Sequence, residues 1–322
     1  MYIISRVKAI FQDRDQALRL LNNIKKFALV VLRAAILIGV SYVILSPVIG
    51  MVVNSISSNR DAYNPMVFVL PEHPTLERYA LAIERLEYFP SMARDLLYTL
   101  SLTLIQLLVC SMVGYGFARF EFPFKKLLFG CVVVMIVIPS HTIMLPLYMS
   151  FKDFDPFGLV TMIKGTPGLM GTTVPMYIMT FLGCGLRSGL FIYIFNQFFR
   201  GLPKEIEEAA FVDGAGVWYT YFKIMLKNAM PAVITVAVFS IVWQFNDTFY
   251  AKLFLISEDV VISKRISGLQ ALIANMDKIM DVTIQELYLH AGIVLIILPI
   301  IIIYLLLQKN FIEGVERSGI VG

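Results

Sequence analysis

Six long apolar runs dominate the chain, at about residues 28–53, 93–118, 127–150, 176–199, 229–250 and 287–307. In a helix rising 1.5 Å per residue, about 20 such residues cross a hydrocarbon core of ~30 Å. Backbone polar groups in lipid must be satisfied within their own segment, so the pattern predicts an all-α, polytopic membrane protein with six transmembrane helices. Arg33 interrupts the first run only near its inner end, where a long cation reaches the headgroups. Pro139 and Pro146 fall inside the third run and are expected to kink or end its helix.

The polar intervals divide the chain further. Residues 1–27 form a basic segment, and 28–92 hold the first span and an external loop with a short helix near 76–86. Residues 93–307 are a core of five spans, and 308–322 a tail. Between spans four and five lies a polar island, Glu205 to Pro231. Pro203 stands where a helix would start, and Glu205, Glu207 and Glu208 crowd the first turn, complementing the positive end of the helix dipole. Gly214 can take the left-handed conformation that closes this helix. Val217, Trp218, Tyr221, Phe222 and Met225 then recur at helical spacing, predicting a second helix to about Leu226. The island therefore reads as a helix, turn, helix projecting from a membrane.

Charge orients the spans. With the N-terminus inside, the inner segments hold 15 Lys or Arg and 9 Asp or Glu, while the outer loops hold 9 and 12. The positive-inside rule then places both termini and the island in the cytoplasm. Composition agrees: 58% of the 322 residues are hydrophobic and 16% charged, too apolar for a soluble domain. Cys110, Cys131 and Cys184 all sit in apolar stretches and read as small packing residues, with neither disulfide framework nor metal-site spacing. No phosphate-cradling G-x-x-x-x-G-K-[ST], no H-E-x-x-H and no nucleophile elbow occurs, so no enzyme activity, metal or cofactor is expected. The basic residues follow the inner membrane face and give no reason to expect nucleic acid.

Polar residues within spans are the candidate chemistry. Arg187, in Leu182–Gly189, costs about 3 kcal/mol in a lipid-facing position, so it must face water or a partner. It either lines a translocation path or its external gate, or makes a structural pair with Asp247 or with a carboxylate of another chain. His141, Gln244 and Asn246 join these two as candidate pathway residues, with interhelical hydrogen bonding as the competing role. Tyr148 and Trp243 offer stacking faces that would suit a sugar.

The island also carries a family resemblance. Glu208-Ala209-Ala210, three residues, Gly214, nine residues, Ile224, one residue and Leu226 resembles the EAA loop of ABC importer membrane subunits. Phe198 to Pro203, Val212-Asp213-Gly214 and Asn246-Asp247 are similar to the carbohydrate branch, the maltose-type permease with a six-span, MetI-like transmembrane domain. The likeness runs over roughly residues 90 to 322. It implies that Glu208, Ala209, Ala210, Asp213, Gly214, Ile224 and Leu226 form the coupling surface for a separate ATPase, with Glu208 in an ionic contact. It further implies two nucleotide-binding ATPase subunits, a second homologous permease subunit and an extracytoplasmic solute-binding protein met by residues 251–286. The tail Asn310 to Gly322 would reach towards the ATPase, and surrounding lipid would be that of a bacterial plasma membrane. The implied cargo is a sugar or oligosaccharide; peptide or amino-acid import, or an ion-coupled carrier, are the alternatives. Lys227 stands where the motif usually has proline, which is expected to let the second loop helix run straight into span five.

Overall fold

A computed structural model describes residues 14–64 and 70–319. It divides into two units, residues 1–75 and 76–322. Among the described residues every regular element is helical, as the apolar periodicity predicts. Three helices are long and apolar enough to cross a membrane unbroken, and two further bent pairs meet the same test if each pair is one span.

In the first unit, α1 (Arg14–Ile56) is one helix of 43 residues that takes in both the first apolar run and the end of the basic segment. Residues 1–13 lie outside the described part. After α1 the chain turns at Asp61, whose buried carboxylate accepts the backbone N–H of Ser58 at 3.3 Å and of His73 at 2.9 Å.

The second unit begins with α2 (Glu77–Arg85), the short helix expected near residues 76–86. It leads into α3 (Tyr88–Arg119), 32 residues without a break. Next come α4 (Lys125–Val137), α5 (Met144–Lys152) and α6 (Leu159–Lys164). Ile138 is extended at φ −69°, ψ 120°, as a residue before proline prefers, and the chain bends by 103° there. Pro139 thus ends the helix of the third run, one of the two outcomes expected of it. The fourth run is split into α7 (Val174–Phe181) and α8 (Ser188–Gly201). Between them Gly183 and Arg187 take positive φ, 72° and 59°.

The island folds as α9 (Glu205–Val212) and α10 (Val217–Asn228), the latter π-helical over Thr220–Met225. It is followed by α11 (Met230–Phe245), α12 (Phe249–Leu253), α13 (Ile262–Arg265) and α14 (Leu269–Met276). Last comes α15 (Val282–Gly319), which continues the sixth span through residues 308–319 of the expected tail. Residues 320–322 of that tail are outside the described part.

One expectation is corrected here. Lys227 does not carry the loop helix straight into span five, because α10 and α11 meet at 78°. Pro231, second residue of α11, has no N–H to give the Lys227 carbonyl, so the ladder stops at Ala229 whatever occupies position 227.

Two clusters form the core of this unit, and α3 contributes to both. Towards its C-terminal end, Cys110 and Tyr115 pack with Phe191, Phe195 and Phe199 of α8 and with Tyr221 and Met225 of α10. Towards its N-terminal end, Tyr98 and Leu102 pack with Phe151, Met176, Tyr250 and Phe254. Gly114 makes the α3–α8 approach possible: a Cβ there would lie 2.6 Å from the Cβ of Phe195 and 3.0 Å from the Ile192 carbonyl oxygen.

Candidate functional site

The island's first helix has two faces. Glu207 and Ala210, three apart, point into the protein, while Glu208, Ala209 and Val212 are exposed. Burying Glu207 requires a partner, and α3 supplies it. Arg119 Nε lies 2.8 Å from Glu207 Oε2, with the two side chains only 5% and 10% exposed. The Tyr115 hydroxyl donates to the other carboxylate oxygen. Arg119 also donates from Nη2 to the Leu202 carbonyl at 2.8 Å, fixing the approach to α9. Ser111 and Tyr221 share a 2.6 Å hydrogen bond that ties α10 to the same face of α3.

The turn after α9 closes as a Schellman motif. Ala215 N–H donates to the Ala210 carbonyl at 2.9 Å and Gly214 N–H to Phe211 at 3.0 Å. Gly214 sits at φ 82°, where a residue with a Cβ is strained, and Asp213 is exposed beside it. Ile224 and Leu226 are half-buried, and Leu226 packs with Ile206 against the aromatic cluster. Beyond the turn the loop's outer surface is apolar: Val212 is 87% and Trp218 63% exposed, and Phe211, Val217, Tyr219 and Phe222 are exposed beside them. Trp218 and Phe222 stack at 6.2 Å. Glu208 is exposed on this knuckle, as are Glu205 and Asp213.

The second candidate region gathers around the helix breaks. A pocket of about 290 Å³ is lined by residues at the bend after α4 (Ile138, Ser140), at the α7–α8 break (Cys184, Arg187) and by Tyr250 of α12. Arg187 extends its guanidinium over Trp243 of α11, 5.5 Å from the ring centre. It makes no ion pair with Asp247, so the structural pairing considered for these two is not formed. Asp247 instead accepts the N–H groups of Phe249 and Tyr250, at 3.1 and 3.2 Å, and starts α12. His141 is exposed and packs 4.5 Å from the Phe249 ring, and Asn246 is exposed with its amide on the Val242 carbonyl. Gln244 is buried. Its amide and the Ser240 hydroxyl both donate to Gln106 Oε1, at 3.4 and 2.8 Å. Gln106 Nε2 donates in turn to the Leu186 carbonyl (2.6 Å) and Ser188 Oγ (2.9 Å), so this one amide pins the α7–α8 break to α3 and α11.

The structure thus brings Arg187, Asp247 and His141 around Tyr250 and Phe249, leaves Asn246 at the surface and takes Gln244 into the interior. Sequence reasoning passed over Tyr115, Arg119 and Glu207. The available signal was the spacing of Glu207 and Ala210 on one helix face, with a lone arginine ending a long apolar run. Elsewhere, Asp61, Glu72 and His73 bring ligand atoms within 4.8 Å of one another, but Asp61 is engaged in closing its own loop.

The family described as binding-protein-dependent transport system inner membrane component matches residues 106–317. The diacetylchitobiose uptake system permease protein NgcG of Streptomyces coelicolor is 25% identical over 284 residues, 88% of this chain and 86% of that protein. The melibiose/raffinose/stachyose import permease protein MelC of Bacillus subtilis is 26% identical over 300 residues, 92% and 98% of the two chains. Among solved structures, a chain of a bacterial ABC transporter involved in the import of the acidic polysaccharide alginate superposes with a TM-score of 0.69, covering 89% of this chain and 98% of its own, at 20% identity. That likeness is one of fold.

Proposed function

Since the chain belongs to the binding-protein-dependent transport system inner membrane components, we propose that it is the permease subunit of an ATP-driven importer for a sugar or oligosaccharide. The named substrates of its relatives support the cargo class. The chain crosses the plasma membrane of a bacterium six times, with both termini and the 200–228 loop in the cytoplasm. ATP hydrolysis belongs to two partner ATPase subunits, a second homologous permease completes the pathway, and a solute-binding protein delivers cargo to the 251–286 face.

The observation that carries this reading is the exposed apolar knuckle of α9 and α10 standing on a buried ion pair. An uncovered patch of aromatic and aliphatic side chains marks a surface made for a partner. Glu208 at its rim supplies an ionic contact to the ATPase, and the Gly214 turn presents the knuckle as one rigid piece. When the ATPase moves the knuckle, the Arg119–Glu207 pair transmits the displacement to α3, and α10 transmits it to α11 across the bend at Ala229. Arg187, Asp247 and His141, around the breaks in spans three to five, line the pathway or its external gate; discontinuous spans are a recurrent setting for transporter substrate sites.

The test is a single cysteine at position 208, in a background lacking Cys110, Cys131 and Cys184, co-expressed with the ATPase in membranes. Nucleotide-dependent crosslinking is the expected result. Labelling of the same cysteine from outside the cell, with no ATPase adduct, would overturn both topology and coupling.

A further inference from the structure

A strongly cationic cavity lies beside the coupling loop, away from the pathway region just described. It holds about 920 Å³ between the end of α3, the start of α4 and the end of α8. Arg119, Lys125, Lys126, Arg200 and Lys204 line it against one carboxylate, Glu121. Glu121 pairs with Lys125 at 2.8 Å, while among the described residues no salt bridge engages Lys126, Arg200 or Lys204. The excess of positive charge registers on Glu121 itself. A hydrogen bond from Lys125 and that cation's charge hold its carboxyl below the usual range, with Lys204 and Lys126 adding to the effect. With Arg119 held by Glu207 and Lys125 by Glu121, the charges of Lys126, Arg200 and Lys204 remain in excess around the cavity and favour an added anion.

The rest of the wall is apolar and aromatic, with Phe117, Phe122, Phe129 and Leu127. Asn196, 2% exposed, also lines the cavity, its amide nitrogen donating to the Gly114 carbonyl at 3.3 Å. Its lining includes the last residues of α3, Phe117 to Arg119, where the apolar stretch gives way to charge, and the membrane placement argued above puts that transition near the inner surface. A free inorganic anion would use the cations and leave the aromatic wall bare; a molecule with an anionic head and hydrocarbon tails fits both. The first turn of α4 adds the positive end of its helix dipole.

We propose that this pocket binds the phosphate headgroup of an anionic phospholipid from the leaflet facing the coupling loop. Arg119 makes the site consequential: the same side chain lines the pocket and holds Glu207 of α9. A bound lipid would therefore brace the seat of the knuckle. The inference rests on the membrane placement of the chain but on neither its cargo nor its ATPase contact.

The test is native mass spectrometry of the full-length chain in detergent, titrated with phosphatidylglycerol, phosphatidylcholine or inorganic phosphate. Each cation near an anionic headgroup contributes about a fivefold factor in affinity. Phosphatidylglycerol should bind at least about tenfold tighter than phosphatidylcholine, and Lys126→Gln/Arg200→Gln/Lys204→Gln should erase that preference. The charge-keeping variant Lys126→Arg/Arg200→Lys/Lys204→Arg should retain it. Equal binding of the two lipids, or loss of binding in the charge-keeping variant, would overturn the proposal. So would displacement of lipid by millimolar phosphate, or exclusion of lipid once the partner permease is assembled. ATP-driven uptake, measured separately, reports on the transport reading alone.

Discussion

The C-terminal end of α3 and its middle are held by different chemistry. At the coupling loop, a buried guanidinium and carboxylate, a tyrosine hydroxyl and a wall of aromatic rings lock α9 and α10 in place. Around Gln106, at the α7–α8 break, the joints are neutral: the Gln106 amide, the Ser240, Ser188 and Thr103 hydroxyls, and the Leu186 carbonyl. A charged pair in a dry setting fails all at once when either partner leaves, whereas neutral hydrogen bonds can be exchanged one by one with water. The contrast suits a seat that must not slip at the helix end and a passage that must open beside its middle.

The largest expected effect is at the seat. Glu207→Ala leaves Arg119 buried and unpaired and should destabilise the chain by about 3–5 kcal/mol. The readout is thermal unfolding in detergent, and Arg119→Met/Glu207→Met should be less harmful than Glu207→Ala alone. Should the double variant prove the worse, the seat is not held by charge and the comparison breaks.

At the breaks the effect is smaller. Gln106→Leu strips partners from Ser188, Ser240 and the Leu186 carbonyl and should cost about 1–3 kcal/mol. Hydrogen exchange should rise at the α7–α8 break while α9 stays protected; a uniform rise would mean that the two regions are not separable.

Arg187→Gly sharpens the functional side. Removing a left-handed arginine relieves about 1 kcal/mol of backbone strain, and losing the contact with Trp243 forfeits a similar amount. Stability should stay within about 1 kcal/mol of the original while ATP-driven uptake falls; unchanged uptake would remove Arg187 from the pathway.

The smallest effect lies outside the membrane-length segments, where Arg85 Nη2 meets Asp277 Oδ1 at 2.6 Å. The hydrogen bond and charge of Arg85 hold the Asp277 carboxyl below the usual carboxylate range. A depressed folded-state pKa gives stability that is present above the unfolded value of about 4 and is lost as pH falls through the lower folded value. Exchange protection of α2 and α14 should therefore decline in acid below about pH 4, and Arg85→Ala should flatten that decline.

Legibility in the sequence followed the same contrast. The apolar runs were readable because burial in lipid needs only length and composition, and the turn at Gly214 because few residues other than glycine take φ 82° comfortably. The split of the fourth run was only half visible: its glycines permit a break, but the residues flanking left-handed Arg187, Leu186 and Ser188, are held by Gln106, 80 and 82 positions earlier. The seat was hidden for a similar reason. Glu207 looks like its neighbours Glu205 and Glu208 until Arg119 is brought against it. Lys227 misled because the residue that decides the bend, Pro231, stands four positions further on.

In α3, Gln106 and Arg119 are separated by 13 residues, or ~20 Å of continuous helix. The elements packed around that helix are jointed; it is not. A rocking of the knuckle at one end must therefore arrive at the other as a tilt, without first being absorbed in a hinge. The protein would work as a lever whose arm is a single rod, with Gly114 against Phe195 as the place where that rod bears on its neighbour.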